Sequence, residues 1–109
     1  MKKIGGNIDL VLEYQEVTTT EIGEQVTTWV PLQTIRGFLD LMNQGKDFAT
    51  YNKAMEDSTH IFICDYVSID KKATELRGAV NGEYYDITYI DNPMQLNYHL
   101  EIFLKRVAD

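Results

Sequence analysis

Few side chains in this chain could act on a substrate or hold an ion: Cys64, His60, His99 and the carboxylates, which number 17 in 109 residues. His60 and Cys64 stand four apart in Thr59-His60-Ile61-Phe62-Ile63-Cys64-Asp65-Tyr66-Val67. In an extended strand this puts both on one face but about 13 Å apart, at about 3.3 Å per residue, too far for a thiolate–imidazole pair. Within so apolar a strand Cys64 reads as a packing residue. His99 and Glu101 also share a strand face and could give a metal two ligands, but a site needs three or four and none is specified nearby. The plainer reading of that pair is a polar, cross-strand-paired face opposite an apolar one. Glu13, Asp40, Asp65, Asp86 and Glu101 scatter over different segments, so no acid–base pair of carboxylates emerges. Neither Gly-x-Gly-x-x-Gly nor a Walker pattern occurs, and Gly5-Gly6 lies near the start. The expectation is a protein without enzymatic activity, cofactor or bound metal.

The elements that would position these residues are almost all strands. Ile8, Leu10, Leu12 and Tyr14 alternate with Asp9, Val11, Glu13 and Gln15, the period of a half-buried strand. Polar residues and Gly23 then mark a turn before a second run, 25–30. Pro31 lacks a backbone donor and must sit at a strand edge, bend or bulge, and 32–42 is extended again, with Gly37 suggesting a bulge or sharp bend. Residues 59–67 form a strand apolar on both faces, and 68–74 is a polar connection. Asn81-Gly82 between extended runs signals a hairpin with a type I′ turn, because both residues tolerate positive φ. Asp91-Asn92-Pro93 marks another turn, and alternation from Leu96 to Lys105 predicts a last half-buried strand.

Residues 43–58 interrupt this pattern. They lack period two, and Phe48, Tyr51 and Met55 fall at the spacing of one helical face with Asp47 as a cap, so a short helix and an irregular loop both fit. Lys46, Phe48, Tyr51, Lys53 and Met55 are the candidate contact residues of this segment. The prediction is an all-β fold: a small antiparallel barrel or sandwich of about six strands, in one domain spanning 1–109, with a long loop or short helix inserted at 43–58.

Composition narrows the function further. Leu, Ile, Val and Phe supply 30 residues, too many for intrinsic disorder and enough for one core. Ten basic against 17 acidic side chains give a net charge of −7, which disfavours gripping phosphate backbones over the whole surface. Seven Tyr, four Phe and one Trp could stack bases, but Lys71-Lys72, Arg77 and Lys105-Arg106 are isolated, so sheet packing is the expected use of the rings. A single cysteine excludes a disulfide scaffold. No run approaches a membrane span, no apolar stretch follows Lys2-Lys3, and no Asn-x-Ser/Thr occurs, so neither spanning nor Sec-type secretion is expected.

The order of features carries more than any one of them. A first strand begins near residue 8, and Trp29 precedes a strand ending in Gly37-Phe38-Leu39. After the long segment come Thr59-His60-Ile61-Phe62-Ile63, then Arg77-Gly78-Ala79-Val80-Asn81-Gly82-Glu83-Tyr84-Tyr85-Asp86-Ile87, Asp91-Asn92-Pro93 and Leu100-Glu101-Ile102. Over essentially its whole length the chain resembles the head-tail joining family of tailed bacteriophages and prophages, also called head-tail adaptor, head-completion or stopper proteins. The Arg-x-x-x-Asn-Gly-x-x-Tyr-x-Ile pattern from Arg77 to Ile87 is its most specific part, although Gly78-Ala79 stands where members commonly have an aliphatic residue.

The resemblance implies a structural virion protein that forms a ring at the head-tail connector, closes the DNA-filled capsid and offers the tail a docking surface. It implies a location at the head-tail interface, with host cytoplasm during assembly, and portal or adaptor and tail proteins as partners. The subunit would be free to be monomeric outside the virion, and DNA would pass through without tight binding. Under this reading 44–57 orders on ring assembly, touching a neighbour or lining the channel. The alternatives are an oligonucleotide- or sugar-binding barrel, another tail-junction or tail-completion protein, and a small metal-dependent enzyme using His60, His99 and Glu101.

Overall fold

The structure is a computed structural model and describes residues 3–41 and 58–107. Residues 42–57, and with them Lys46, Phe48, Tyr51, Lys53 and Met55, lie outside the described residues. Six antiparallel strands make the fold: β1 (Ile8–Thr19), β2 (Gln25–Leu41), β3 (His60–Asp65), β4 (Leu76–Val80), β5 (Glu83–Asp91) and β6 (His99–Arg106). Single 3-10 turns stand at Ala73–Glu75 and Pro93–Gln95. The ladder runs β1-β2-β3-β6-β5-β4, and β4 returns to β1 through Val11–Ala79 to Tyr14–Leu76, closing a barrel.

Alternation along each strand fills the interior. Leu10 and Leu12 of β1, Phe62 and Cys64 of β3, and Ile102 and Leu104 of β6 are fully buried, with Ile35, Val80, Tyr85 and Ile87 beside them. β3 is half of what its apolar sequence suggested: Phe62 and Cys64 point into the core, while Ile61 and Ile63 are only partly covered.

Local chemistry corrects several boundaries. The runs at 25–30 and 32–42 are one strand. Leu12 pairs with Gln33 and Glu13 with Pro31, so Leu32 is the extra residue of a β-bulge that accommodates the missing donor of Pro31. Gly37 is neither bulge nor bend, since it pairs regularly with both Ile8 and Cys64. A Cβ there would stand 2.4 Å from the Ile63 carbonyl oxygen and 2.7 Å from the Phe62 ring. The N-terminal segment crosses β2 at this point, and a Cβ on Gly6 would come within 2.4 Å of the Gly37 backbone. Its far end is tied down by Asp65, whose carboxylate accepts the Ile4 and Gly5 N–H groups at 2.8 and 3.1 Å. Those two donors hold the Asp65 carboxyl below the usual carboxylate range.

The hairpin at Asn81-Gly82 forms as expected, with φ of 50° and 82° and Arg77 opposite Asp86. Gly78 leaves room inside the barrel that Leu10 fills, its Cδ1 lying 2.8 Å from where a Cβ would sit. A second bulge falls between Ile87 and Tyr89. There the Thr88 hydroxyl donates to the Phe103 carbonyl at 3.0 Å and accepts from buried Ser58 at 2.6 Å, which anchors the chain where β3 is about to begin. β6 starts at His99, later than alternation from Leu96 indicated. Met94, Gln95 and Asn97 adopt positive φ, and the Asn92 amide brackets Asn97 at 2.7 and 3.1 Å, so Leu96 and Tyr98 belong to a shaped loop.

The two glycines should respond differently to alanine. Gly78→Ala displaces only a leucine methyl and should cost roughly 1–2 kcal/mol, whereas Gly37→Ala forces backbone apart and should cost roughly 4 kcal/mol or more. Urea denaturation of both variants checks the order; an equal or reversed pair of values contradicts the packing described.

Candidate functional site

The residues that sequence reading considered for chemistry do not converge. In the β3–β6 ladder His60 lies opposite Leu104 and His99 opposite Asp65, so the two histidines sit at opposite ends of the same pairing. His60 shares a hydrogen bond with the Thr59 hydroxyl at 2.8 Å and meets Tyr85 edge-on, with ring centroids 5.1 Å apart. Burial, and secondarily the Arg106 charge, hold the His60 pKa below its ordinary value. His99 Nε2 contacts Glu101 Oε2 at 3.1 Å, the neighbourly strand-face pair its spacing suggested. Cys64 is fully buried, and desolvation, reinforced by the Asp65 charge, pushes its thiol up to about 11, so no thiolate forms near neutrality. Among the described residues no three His, Cys, Asp or Glu side chains come together as a metal site.

What the barrel does assemble is a cation–aromatic cluster on its outer face, where β1, β2, β4 and β5 meet. Arg77 donates from Nε to Glu13 Oε1 at 2.6 Å, and its guanidinium carbon lies 4.0 Å from the Tyr84 ring centre and 4.5 Å from that of Trp29. The pair is largely covered, the two side chains being 23% and 15% exposed. Nearby Lys71 stands 4.5 Å over the Tyr14 ring. A groove of about 460 Å³ runs beside these residues, but Glu75 and Asp86 line it along with Lys71, so it is not a basic channel for a nucleic acid. Part of this cluster was legible: the Asn81-Gly82 turn fixes Arg77 diagonal to Tyr84. Glu13 and Trp29 join only because the sheet closes, which no local signal announces.

The apolar side chains left outside are the second feature. Strand directions alternate round the barrel, so the β1–β2, β3–β4 and β5–β6 connections emerge at one end. There Ile22 is 82% and Met94 86% exposed, with Leu96 and Tyr98 about half exposed beside them in the sequence. Beyond Tyr14, β1 has no β4 partner, and before Gly37, β2 has no β3 partner, so residues 15–19 and 25–30 extend as a two-stranded arm. No long apolar helix able to cross a membrane is present among the described residues.

Among the described residues, exposed apolar loops stand on a closed barrel whose cysteine is buried and whose histidines are hydrogen-bonded. The sequence profile of the phage head completion protein family matches residues 7–107. The chain belongs to that family. Among solved structures, protein SF1141 from Shigella flexneri 2a superposes with a TM-score of 0.75 at 18% identity, covering 100% of this chain and 99% of that one. A chain from the virion of a native gene transfer agent particle superposes at 0.56 and 13% identity, covering 94% and 96%. Both likenesses show the fold. No curated protein gives a significant match. Head completion proteins are structural proteins of the phage particle and not an enzyme family, and the expected virion role holds at that level.

Trp29, the single tryptophan, reports on the cluster. Arg77→Met leaves Glu13 covered and unpaired, and it should destabilise the fold by about 2 kcal/mol while changing Trp29 emission in the native state. Arg77→Lys keeps the charge but not the planar fork, and it should fall between the two. Unchanged emission and stability in Arg77→Met would show that the cluster does not brace the barrel.

Proposed function

We propose that this head completion protein assembles as a ring at the head-tail connector, closes the DNA-filled capsid and presents its loop end as the docking surface for a neighbouring connector or tail component. The observation that carries this reading is the loop 92–98. Three residues in left-handed conformations and a doubly bonded Asn92–Asn97 clamp hold Met94, Leu96 and Tyr98 out toward solvent. Such conformations cost about 1–3 kcal/mol each and persist where the shape of the loop is used. Apolar groups held outward at that cost favour a partner surface over solvent.

Charge supports the rest of the proposal. Between Ile4 and Ile35 the chain has five carboxylates and no Lys or Arg, so a ring of these subunits would repel the duplex it encircles. For the nucleic-acid-binding alternative, the groove beside the Arg77 cluster carries Glu75 and Asp86 along with Lys71 and is not basic.

Two measurements test the reading. In a phage deleted for this gene and supplied with the protein in trans, Met94→Ser combined with Tyr98→Ser should leave stability within about 0.5 kcal/mol, while filled, tailless heads accumulate in electron micrographs. Normal numbers of tailed particles would remove the loop as a docking surface. The free protein should show no measurable affinity for duplex DNA at physiological salt, and binding there would contradict the proposed passage of DNA.

A further inference from the structure

We infer that the β1–β2 arms of neighbouring subunits pair edge to edge, β2 of one copy with β1 of the next, so that the ring proposed above carries a continuous antiparallel sheet of arms. This rests on the ring reading and specifies how its subunits meet. Among the described residues the arm leaves the barrel with both outer edges unpaired: residues 15–19 of β1 lie beyond the last β4 partner, and residues 25–30 of β2 lie before the first β3 partner.

Those edges are not protected in the usual ways. Natural proteins blunt exposed edges with lysine, proline, inward charge or short length. Here Gln25-Val26-Thr27-Thr28-Trp29-Val30 has no charge and no proline until Pro31 ends it, and Gln15-Glu16-Val17-Thr18-Thr19 has one carboxylate. Both are rich in β-branched residues suited to sheet pairing, and Val17 and Val26 are 57% and 39% exposed. A ribbon of only two strands is marginal in water. Its tip is a closed turn in which the Thr20 N–H donates to the Glu24 carbonyl at 2.8 Å and the Gly23 N–H to the Thr20 carbonyl at 3.0 Å. From that turn, alternation places Thr18 with Val26 and Glu16 with Thr28 as pairs bonded within the hairpin. Val17, Thr19, Gln25 and Thr27 therefore direct their backbone groups outward.

A second copy is the occupant that satisfies both edges at once. The two edges differ in sequence, differ in length by only one residue and run antiparallel, so a β2-to-β1 contact repeated by rotation closes into a ring with no arm edge left over. A two-fold β2-to-β2 contact would leave every β1 edge open. Charge speaks against indefinite free assembly: among the described residues Glu16, Glu21 and Glu24 of each arm form no ion pair, and arms two strands apart repeat at about 9.5 Å. That is close to the Debye length of about 8 Å at 0.15 M salt and well inside the roughly 30 Å at 0.01 M. Assembly should therefore weaken as salt is lowered.

The test uses full-length protein assembled on filled heads from a phage lacking its own copy. Glu16→Cys and Thr28→Cys, made as separate variants and mixed, should be joined by a short bis-maleimide only between the two variants; fully buried Cys64 stays silent. Thr27→Pro removes an outward N–H while sparing the hairpin's own bonds, so it should fold normally yet lose ring density, whereas Thr27→Val should assemble. Rings that form without the mixed cross-link, that survive Thr27→Pro, or that join Thr28→Cys to itself overturn the inference and leave the ring reading standing. A cysteine captured only by a different connector protein also overturns it. Absence of rings from wild-type protein on filled heads defeats the ring reading itself, and the arm pairing with it.

Discussion

The four-residue ladder between β1 and β4 closes the sheet, and the rest of the molecule depends on it. Without Val11–Ala79 through Tyr14–Leu76 the strands would form an open sheet with β1 and β4 as free edges and a core face in water. The ladder is short because β4 has only five residues, so its hydrogen bonds alone hold it weakly. It is supported from inside by Leu10, which packs into the space left by Gly78, and from outside by Arg77 gripping Glu13 across the seam. The glycine that departs from the family's aliphatic pattern is therefore part of the closure: a larger residue at 78 would compete with Leu10 for the same volume.

The same seam determines where the molecule stops being a barrel. β4 ends its pairing at Tyr14, and β1 and β2 continue without it. Trp29 and Tyr14 stand at that junction, each under a cation, so the root of the arm is held while its far part has only its own ladder. A rigid body, a braced root and an unpaired extension suit a subunit whose work is contact with copies and neighbours.

Much of the fold was legible because period-two alternation and turn chemistry are local. β1, the Asn81-Gly82 hairpin and the inward set Leu100, Ile102 and Leu104 follow from residue order alone. The readings that failed depend on contacts distant in sequence. Gly37 looks like a bend until Ile63 and Phe62 are placed against it, and the runs on either side of Pro31 look like two segments, although the bulge expected there keeps them one strand. Leu96 and Tyr98 continue an alternating pattern that the Asn92–Asn97 clamp overrides. The candidate surface was half visible: Arg77 and Tyr84 are tied by a hairpin register, whereas Glu13 and Trp29 require knowledge of which strands close the ring. Composition likewise showed net acidity without its distribution.

That distribution gives the charge a structural meaning. Arg36 pairs with Asp9, Arg77 with Glu13 and Arg106 with Glu83, while Lys71 covers Tyr14. These basic groups are engaged on the barrel wall. The arm differs in having acid alone: Glu16, Glu21 and Glu24 stand where no basic residue lies nearby in sequence. A stabilising role is hard to assign to three like charges on one ribbon, since they repel each other and any copy brought alongside. Their effect is on what approaches: a polyanion is turned away, and subunits are kept apart until many unpaired backbone groups can be satisfied together. Acidity and open edges oppose each other on the same ribbon, and in the ring inferred above that opposition would keep free subunits separate until a template holds the copies in register.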